Sequence, residues 1–145
     1  MIRKNTFTII VGCGRLGANI AGTLSDAGGS VTVIDQDERS FRKLSPSFGG
    51  LIVTGDGTDV SVLTDARIAK ATALVAVTDR DNTNIMVAQL AKSLFGVPHV
   101  VARLYDPDRE CVYQDCGIET ISPVRLSTKE INKILKFDET AEGAE

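Results

Sequence analysis

Apolar, β-branched runs of strand length recur six times along the chain, at residues 6–11, 30–34, 50–54, 73–78, 99–104 and, more weakly, 118–121. Their apolar positions run on without the strict alternation of a sheet that has one wet face, so these strands are buried on both sides. Between them the apolar residues return at helical intervals. Leu16, Ile20 and Leu24 share one helix face, and Ile85, Ala88, Ala91 and Phe95 share another, beside Met86, Leu90 and Leu94. Continuous strands alternating with amphipathic helices predict an α/β domain of Rossmann-like architecture, a doubly wound, parallel, six-stranded sheet.

Local chemistry places the boundaries. Gly28 and Gly29 suit the left-handed backbone that stops a helix, and Asp37 suits the cap of a following helix that Pro46, Gly49 and Gly50 close. Ser127 and Glu130 have capping-box spacing in a last helical stretch, residues 126–135, where Leu126, Ile131, Ile134 and Leu135 supply apolar surface. Such a helix packs either on its own sheet or on another subunit. Residues 1–137 therefore read as a single domain that includes this helix, and residues 138–145 as an acidic, disordered tail.

Composition narrows the picture. With 145 residues, 43% hydrophobic and 24% charged, the chain fits one ordinary globular domain. Its apolar runs are far shorter than the roughly 20 residues of a membrane-spanning helix. Arg3 and Lys4 precede a short apolar stretch that runs straight into glycines, which reads as a first strand rather than an export signal. The net charge is −3, but Asp138, Glu139, Glu142 and Glu145 lie in the tail, leaving a near-neutral body without a basic cluster. That argues against nucleic acid as a partner, since such binding draws on many Lys and Arg contacts. Cys13, Cys111 and Cys116 are odd in number and lack metal-site or redox-motif spacing, so they read as reduced thiols of a cytoplasmic protein.

The candidate chemistry begins directly after the first strand, with Gly12-Cys13-Gly14-Arg15-Leu16-Gly17 opening a helix. A lone glycine fingerprint is weak, but here a strand precedes it, a helix follows it, and Asp35 ends the next strand 18 residues past Gly17. In that setting Gly12 makes the tight turn, Gly14 lets the backbone approach a pyrophosphate, and Gly17 lets helix and strand pack closely. The amides at the helix start hold the anion. Asp35 accepts both ribose hydroxyls and repels a 2′-phosphate, which disfavours NADP; Gln36 follows it. The structural alternative is a tight turn with Asp35 as a helix cap. Arg15 in a first helical turn opposes the helix dipole, so it either meets ligand phosphates or extends into water.

Further candidates fall at the carboxyl ends of later strands, where open α/β sheets place ligands. They are Asp56, Gly57 and Thr58 after the third strand, Thr78, Asp79, Asp81 and Asn84 after the fourth, and Arg103 at the end of the fifth beside Tyr105. Each of the polar ones alone also fits a turn or cap; Arg103 needs an ion pair, for which Glu119 is available, or a phosphate. Groups for hydride-transfer chemistry are missing. The only histidine, His99, starts a strand at the wrong end of the sheet, and no Tyr-x-x-x-Lys pair exists. The reading is a binding domain without catalysis, against two alternatives: the NAD-binding component of a split oxidoreductase, or a redox sensor to which Cys13 contributes.

With these residues in place, the chain resembles the nucleotide-binding N-terminal domain of the RCK or KTN family of potassium-transport regulators, to which TrkA and KtrA belong. The stretches that carry the resemblance are GCGRLG, VTVID, VTGDGTD, AVTDRDNTN, VARLYDP and GIETISP, which span the chain from Thr6 to about Leu135. The resemblance implies a cytoplasmic, non-catalytic regulatory subunit that binds an adenine nucleotide, NAD(H), ATP, ADP or AMP, and gates a membrane potassium channel or transporter from the inner face of the cell membrane. By similarity the Gly12 to Gly17 loop holds phosphates, Asp35 holds ribose, the segments at Asp56 and Thr78 flank the adenine, and Arg15 meets terminal phosphates near a subunit boundary that Arg103 supports. The resemblance further implies homodimers that assemble into a higher-order ring, with residues 126–135 as the crossover helix. The ligand-binding C-terminal domain usual in that family is expected from a separate polypeptide or is dispensed with, since the chain ends about ten residues after that helix.

Overall fold

The computed structural model describes residues 6–114 and 116–136. Six parallel strands form one sheet in the order β3-β2-β1-β4-β5-β6, with β1 at Phe7–Val11, β2 at Ser30–Asp35, β3 at Leu51–Thr54, β4 at Ala73–Ala76, β5 at His99–Arg103 and β6 at Glu119–Ile121. Each lies within two residues of its sequence-predicted bounds. Helices α1 (Arg15–Asp26), α2 (Val60–Asp65), α3 (Asp81–Gln89), α4 (Glu110–Gln114) and α5 (Pro123–Leu135) connect or follow them. The register sets Ile9 between Thr32 and Leu74, so β1 is central and the strand order reverses beside it. That reversal opens a crevice at the carboxyl ends of β1 and β4.

The inner strands bury both faces, as their composition requires, whereas the edge strand β3 leaves Leu51 and Ile52 more than half exposed, contrary to the expectation of cover on both sides. On one face Ile9, Val11, Ile34 and Leu74 pack with Leu63 of α2, Ile68, and Val87 and Ala88 of α3. On the other, Ile10, Val31, Val33 and Val77 meet Ala18 and Ala21 of α1, flanked by Leu16, Ile20 and Leu24. Side chains as enclosed as Ile9, Leu63 and Leu74, all at 0% exposure, each contribute about 1.5–3 kcal/mol through burial.

Four local expectations need correction. The helix expected after Asp37 is only a 3-10 segment, Glu38–Lys43; Asp37 does cap it, accepting the Arg39 N–H at 3.0 Å. Leu44 already leaves helical backbone, at ψ 143°, two residues before Pro46, and Phe41, Leu44 and Phe48 pack onto the α1-side core instead. Gly28 alone, at φ +87°, takes the left-handed conformation after α1. The helix α3 runs on into a π-helical turn, Leu90–Leu94, and Met86 and Leu94 are half or more in solvent rather than beside the buried face. Lastly, Ser127 and Glu130 sit inside α5. Its cap is Ser122, whose hydroxyl accepts the Arg125 N–H at 3.2 Å, and Pro123 occupies the first turn, where a missing N–H is no loss.

The helix α5 leaves Val124, Leu126, Ile131, Ile134 and Leu135 all more than half exposed, so this apolar surface is not spent on the chain's own sheet. An ion pair between Glu110 and Arg125 ties its first turn to α4. The Arg125 hydrogen bond holds the Glu110 carboxyl below its ordinary range. A carboxylate depressed in the folded state stabilises above its ordinary pKa and ceases to do so as pH falls through the depressed value. Amide exchange at the start of α5 is therefore expected to be flat from pH 8 to 6 after correction for intrinsic rates. It should quicken below about pH 4, and Glu110→Gln should show the faster exchange at neutral pH.

Candidate functional site

The crevice beside β1 is a cleft of about 480 Å³ at the carboxyl ends of β1 to β5, within the size range of small-molecule sites. Its floor is the glycine loop. Gly12 sits at φ +108°, and a Cβ there would lie 2.8 Å from the backbone of Val77 and Thr78. Gly17 faces inward, where a Cβ would stand 1.8 Å from the Gly12 carbonyl oxygen. Gly14, by contrast, has open space in front of it and caps α1 with no side-chain hydrogen bond. The amides of the first turn of α1 have no carbonyl one turn earlier to bond, and no acidic residue lies in that turn. Together these leave the positive end of a three-turn helix facing an open, unscreened approach, which suits an anion.

Asp35, half-buried, is clamped to that loop. Its Oδ2 accepts the Cys13 N–H at 2.7 Å and its Oδ1 accepts the Asp37 N–H at 2.8 Å. The carboxylate is thereby oriented into the cleft with lone pairs to spare for a ligand's hydroxyls. Asp56, across from it on the β3 loop, accepts both the N–H and the hydroxyl of Thr58 at 2.9 and 2.7 Å, which hold its carboxyl below the usual range. Gln36, Gly57, Thr78, Asp79 and Arg103 also line the cleft.

Arg15, Leu16, Gly17, Thr58, Asp81 and Asn84 do not. The Arg15 side chain is exposed to solvent outside the cleft lining, and Leu16 packs into the α1-side core. Gly17 is buried under Gly12. Asn84 is fully buried, and every group of its amide is engaged within the protein: Oδ1 accepts the Thr78 N–H and hydroxyl at 2.8 and 2.6 Å, while Nδ2 donates to the carbonyls of Thr78 and Arg103 at 3.0 and 2.9 Å. It fastens the β4 and β5 rims to each other. Asp81 does the same from the start of α3, accepting the Tyr105 and Asp106 amides. Arg103 pairs with the Thr78 carbonyl at 2.7 Å and stacks 5.1 Å from the Tyr105 ring centroid, not with Glu119, and its Nε is buried without a partner among the described residues.

The cleft also includes residues to which the sequence reading assigned no ligand role: Ser40, Asp37, Thr83 and Arg80. Arg80 was within reach of that reasoning, since it follows Thr78 and Asp79 at the same strand end. His99 is exposed at the far end of the sheet. Cys13 is buried, and burial, then the charge of Asp35, pushes its thiol up, the opposite of what a reactive thiolate needs.

Comparison with known proteins agrees with this geometry. The TrkA-N domain family model matches residues 8–123. The Trk system potassium uptake protein TrkA of Streptomyces coelicolor is 47% identical over 123 residues, which cover 85% of this chain and 55% of that protein. A TrkA homolog from Methanothermobacter thermautotrophicus is 30% identical over 137 residues, covering 94% and 63% respectively. The chain thus spans little more than half the length of these curated relatives. Among solved structures, the GsuK RCK domain superposes with a TM-score of 0.77 at 25% identity, covering 94% of this chain and 29% of that one.

Proposed function

The chain belongs to the TrkA-N family, and on that premise we propose that it is a non-catalytic regulatory subunit that binds an adenine nucleotide and thereby gates potassium ion transport. The observation that carries the reading is the cleft itself. Asp35 is oriented between the Cys13 and Asp37 amides, beside a helix start that presents unbonded N–H groups and no acid. In this reading Asp35 accepts the ribose hydroxyls, the loop at Gly12 and Gly14 with the amides of Arg15 and Leu16 takes the first phosphates, and Asp56, Gly57 and Thr78 flank the base. Gly17 and Asn84 act at one remove, by packing the loop and by fastening the rims. Fold neighbours in which ligands are seen support the class: a GsuK channel bound to NAD, GsuK bound to ADP, and a Kef C-terminal domain from Shewanella denitrificans in an AMP-bound form.

The relatives' names, Trk system potassium uptake proteins, support a membrane potassium transporter or channel as the partner. No helix among the described residues is long and apolar enough to cross a membrane, which fits a subunit that acts on such a partner from the cytoplasmic face. The exposed apolar surface of α5 supports a homodimer, and a ring is the larger assembly this would build. Ligand can alter gating only through unequal affinity for two assembly states. Calorimetric titration with ATP, ADP, AMP, NAD+ and NADH, with assembly mass recorded for each, tests this. The expected result is saturable binding of at least one nucleotide together with a change in assembly. No binding by any of the five, or turnover of the nicotinamide, would overturn the reading.

A further inference from the structure

Charge is distributed unevenly along the cleft, and the distribution follows the sheet order. Asp35, Asp37 and Asp56 sit at the β2–β3 side, whereas Arg80 and Arg103 sit at the β4–β5 side, where exposed Asp79 is the one acid in the lining and Asp81, next to Arg80, is engaged by the Tyr105 and Asp106 amides. No carboxylate lies within ion-pairing distance of either arginine among the described residues; the pairs present there involve Arg39, Arg109 and Arg125. Arg103 spends one N–H on the Thr78 carbonyl, and the Arg80 side chain is exposed, with no hydrogen bond to another described residue.

Local structure gives no reason for an arginine at position 80. It is the N-cap of α3 and makes no side-chain cap, in a place where Ser, Thr, Asp or Asn would stabilise and where a cation opposes the helix dipole. Its backbone is nonetheless held in place, since the Thr78 hydroxyl lies 3.3 Å from the Arg80 amide and 3.2 Å from its carbonyl. A fixed backbone bearing a free guanidinium at the rim of a cleft is an arrangement that a ligand anion would complete.

We propose that Arg80 is a specificity-determining residue that reads the phosphates beyond the first, so that the cleft favours a nucleoside di- or triphosphate over a monophosphate and over NAD+. The proposal rests on the nucleotide-binding reading above. With ribose at Asp35 and the first phosphate at the start of α1, further phosphates are driven away from the three carboxylates and across β1 toward β4, where Arg80 stands. NAD+ offers its second phosphate only as a singly charged diester, without the terminal phosphate charge of ADP or ATP, and brings its cationic nicotinamide ring to the arginine side, where like charges repel.

The test is calorimetric titration of the whole chain with ATP, ADP, AMP and NAD+, for the parent, Arg80→Gln and Arg80→Lys, each checked for an unchanged thermal midpoint. Arg80→Gln is expected to weaken ATP and ADP roughly tenfold while AMP stays within about twofold, and Arg80→Lys is expected to recover part of the loss. An unchanged ratio of ATP to AMP affinity in Arg80→Gln, or an equal loss for all four ligands, would overturn the role of Arg80 and leave nucleotide binding standing. A parent protein that binds none of the four would overturn both.

Discussion

Gly17→Ala is expected to unfold roughly 10 °C below the parent in a thermal scan, a loss of about 3 kcal/mol or more for a domain of this size. The added methyl would stand 1.8 Å from the Gly12 carbonyl oxygen and 3.4 Å from Val77 Cγ2. The first contact is with backbone, so no rotamer change relieves it; α1 must move off β1. That shift would open the core face where Ala18 and Ala21 meet Ile10 and Val33, adding lost packing to the steric term. Gly14→Ala provides the contrast within the same motif. It has no atom within 4 Å of the new Cβ, so its unfolding midpoint should match the parent's, while nucleotide affinity falls because the methyl enters the space that a phosphate needs. Equal midpoints for Gly17→Ala and the parent would mean that helix and strand tolerate separation, and that the third glycine is not there for packing.

The contrast between those two glycines also shows what the sequence could and could not convey. Strand positions were legible where the runs are buried on both faces, as at Ile9, Ile34 and Leu74, so that apolar continuity and burial coincide; the edge strand β3 kept its β-branched run although Leu51 and Ile52 are more than half exposed. The acid at the end of β2 was legible for a different reason, its fixed distance from the glycine loop. Position on the rim, however, does not reveal direction. Asn84 and Asp79 both follow β4, yet the Asn84 amide turns inward to join Thr78 with Arg103, while Asp79 faces the cleft. Arg15 and Arg80 are both cations at helix starts, and only Arg80 lines the site. Those outcomes depend on which partners three-dimensional packing brings near, and a spacing rule carries no such information. The start of α5 was missed on more local grounds. Ser122 with Pro123 is itself a helix-start signal, but Ser127 and Glu130 imitate one a turn later, and the exposed apolar residues of α5 gave no core contact to arbitrate.

Asp35→Ala should lower affinity for every ribose-bearing nucleotide by about 3 kcal/mol, more than a hundredfold, because it removes the charged acceptor for the sugar hydroxyls. The geometry gives this residue a second task, however. Its two oxygens hold the Cys13 and Asp37 amides at 2.7 and 2.8 Å, so the alanine variant also frees the loop that carries Gly12 and Gly14. The two contributions separate if the ligand is changed as well as the protein. A 2′-deoxy nucleotide deletes one hydroxyl but leaves the loop untouched; in the parent it should bind roughly tenfold more weakly than its ribose counterpart. In Asp35→Ala that preference should vanish, because the acceptor is gone whatever the loop does. Asp35→Asn should fall between them, retaining one carbonyl oxygen but offering N–H groups where the loop amides need acceptors. Should Asp35→Ala keep the full preference for the ribose form, the carboxylate would be a loop clamp alone, and the sugar would have to be recognised by another group on the β2–β3 side, with Asp56 the first to examine.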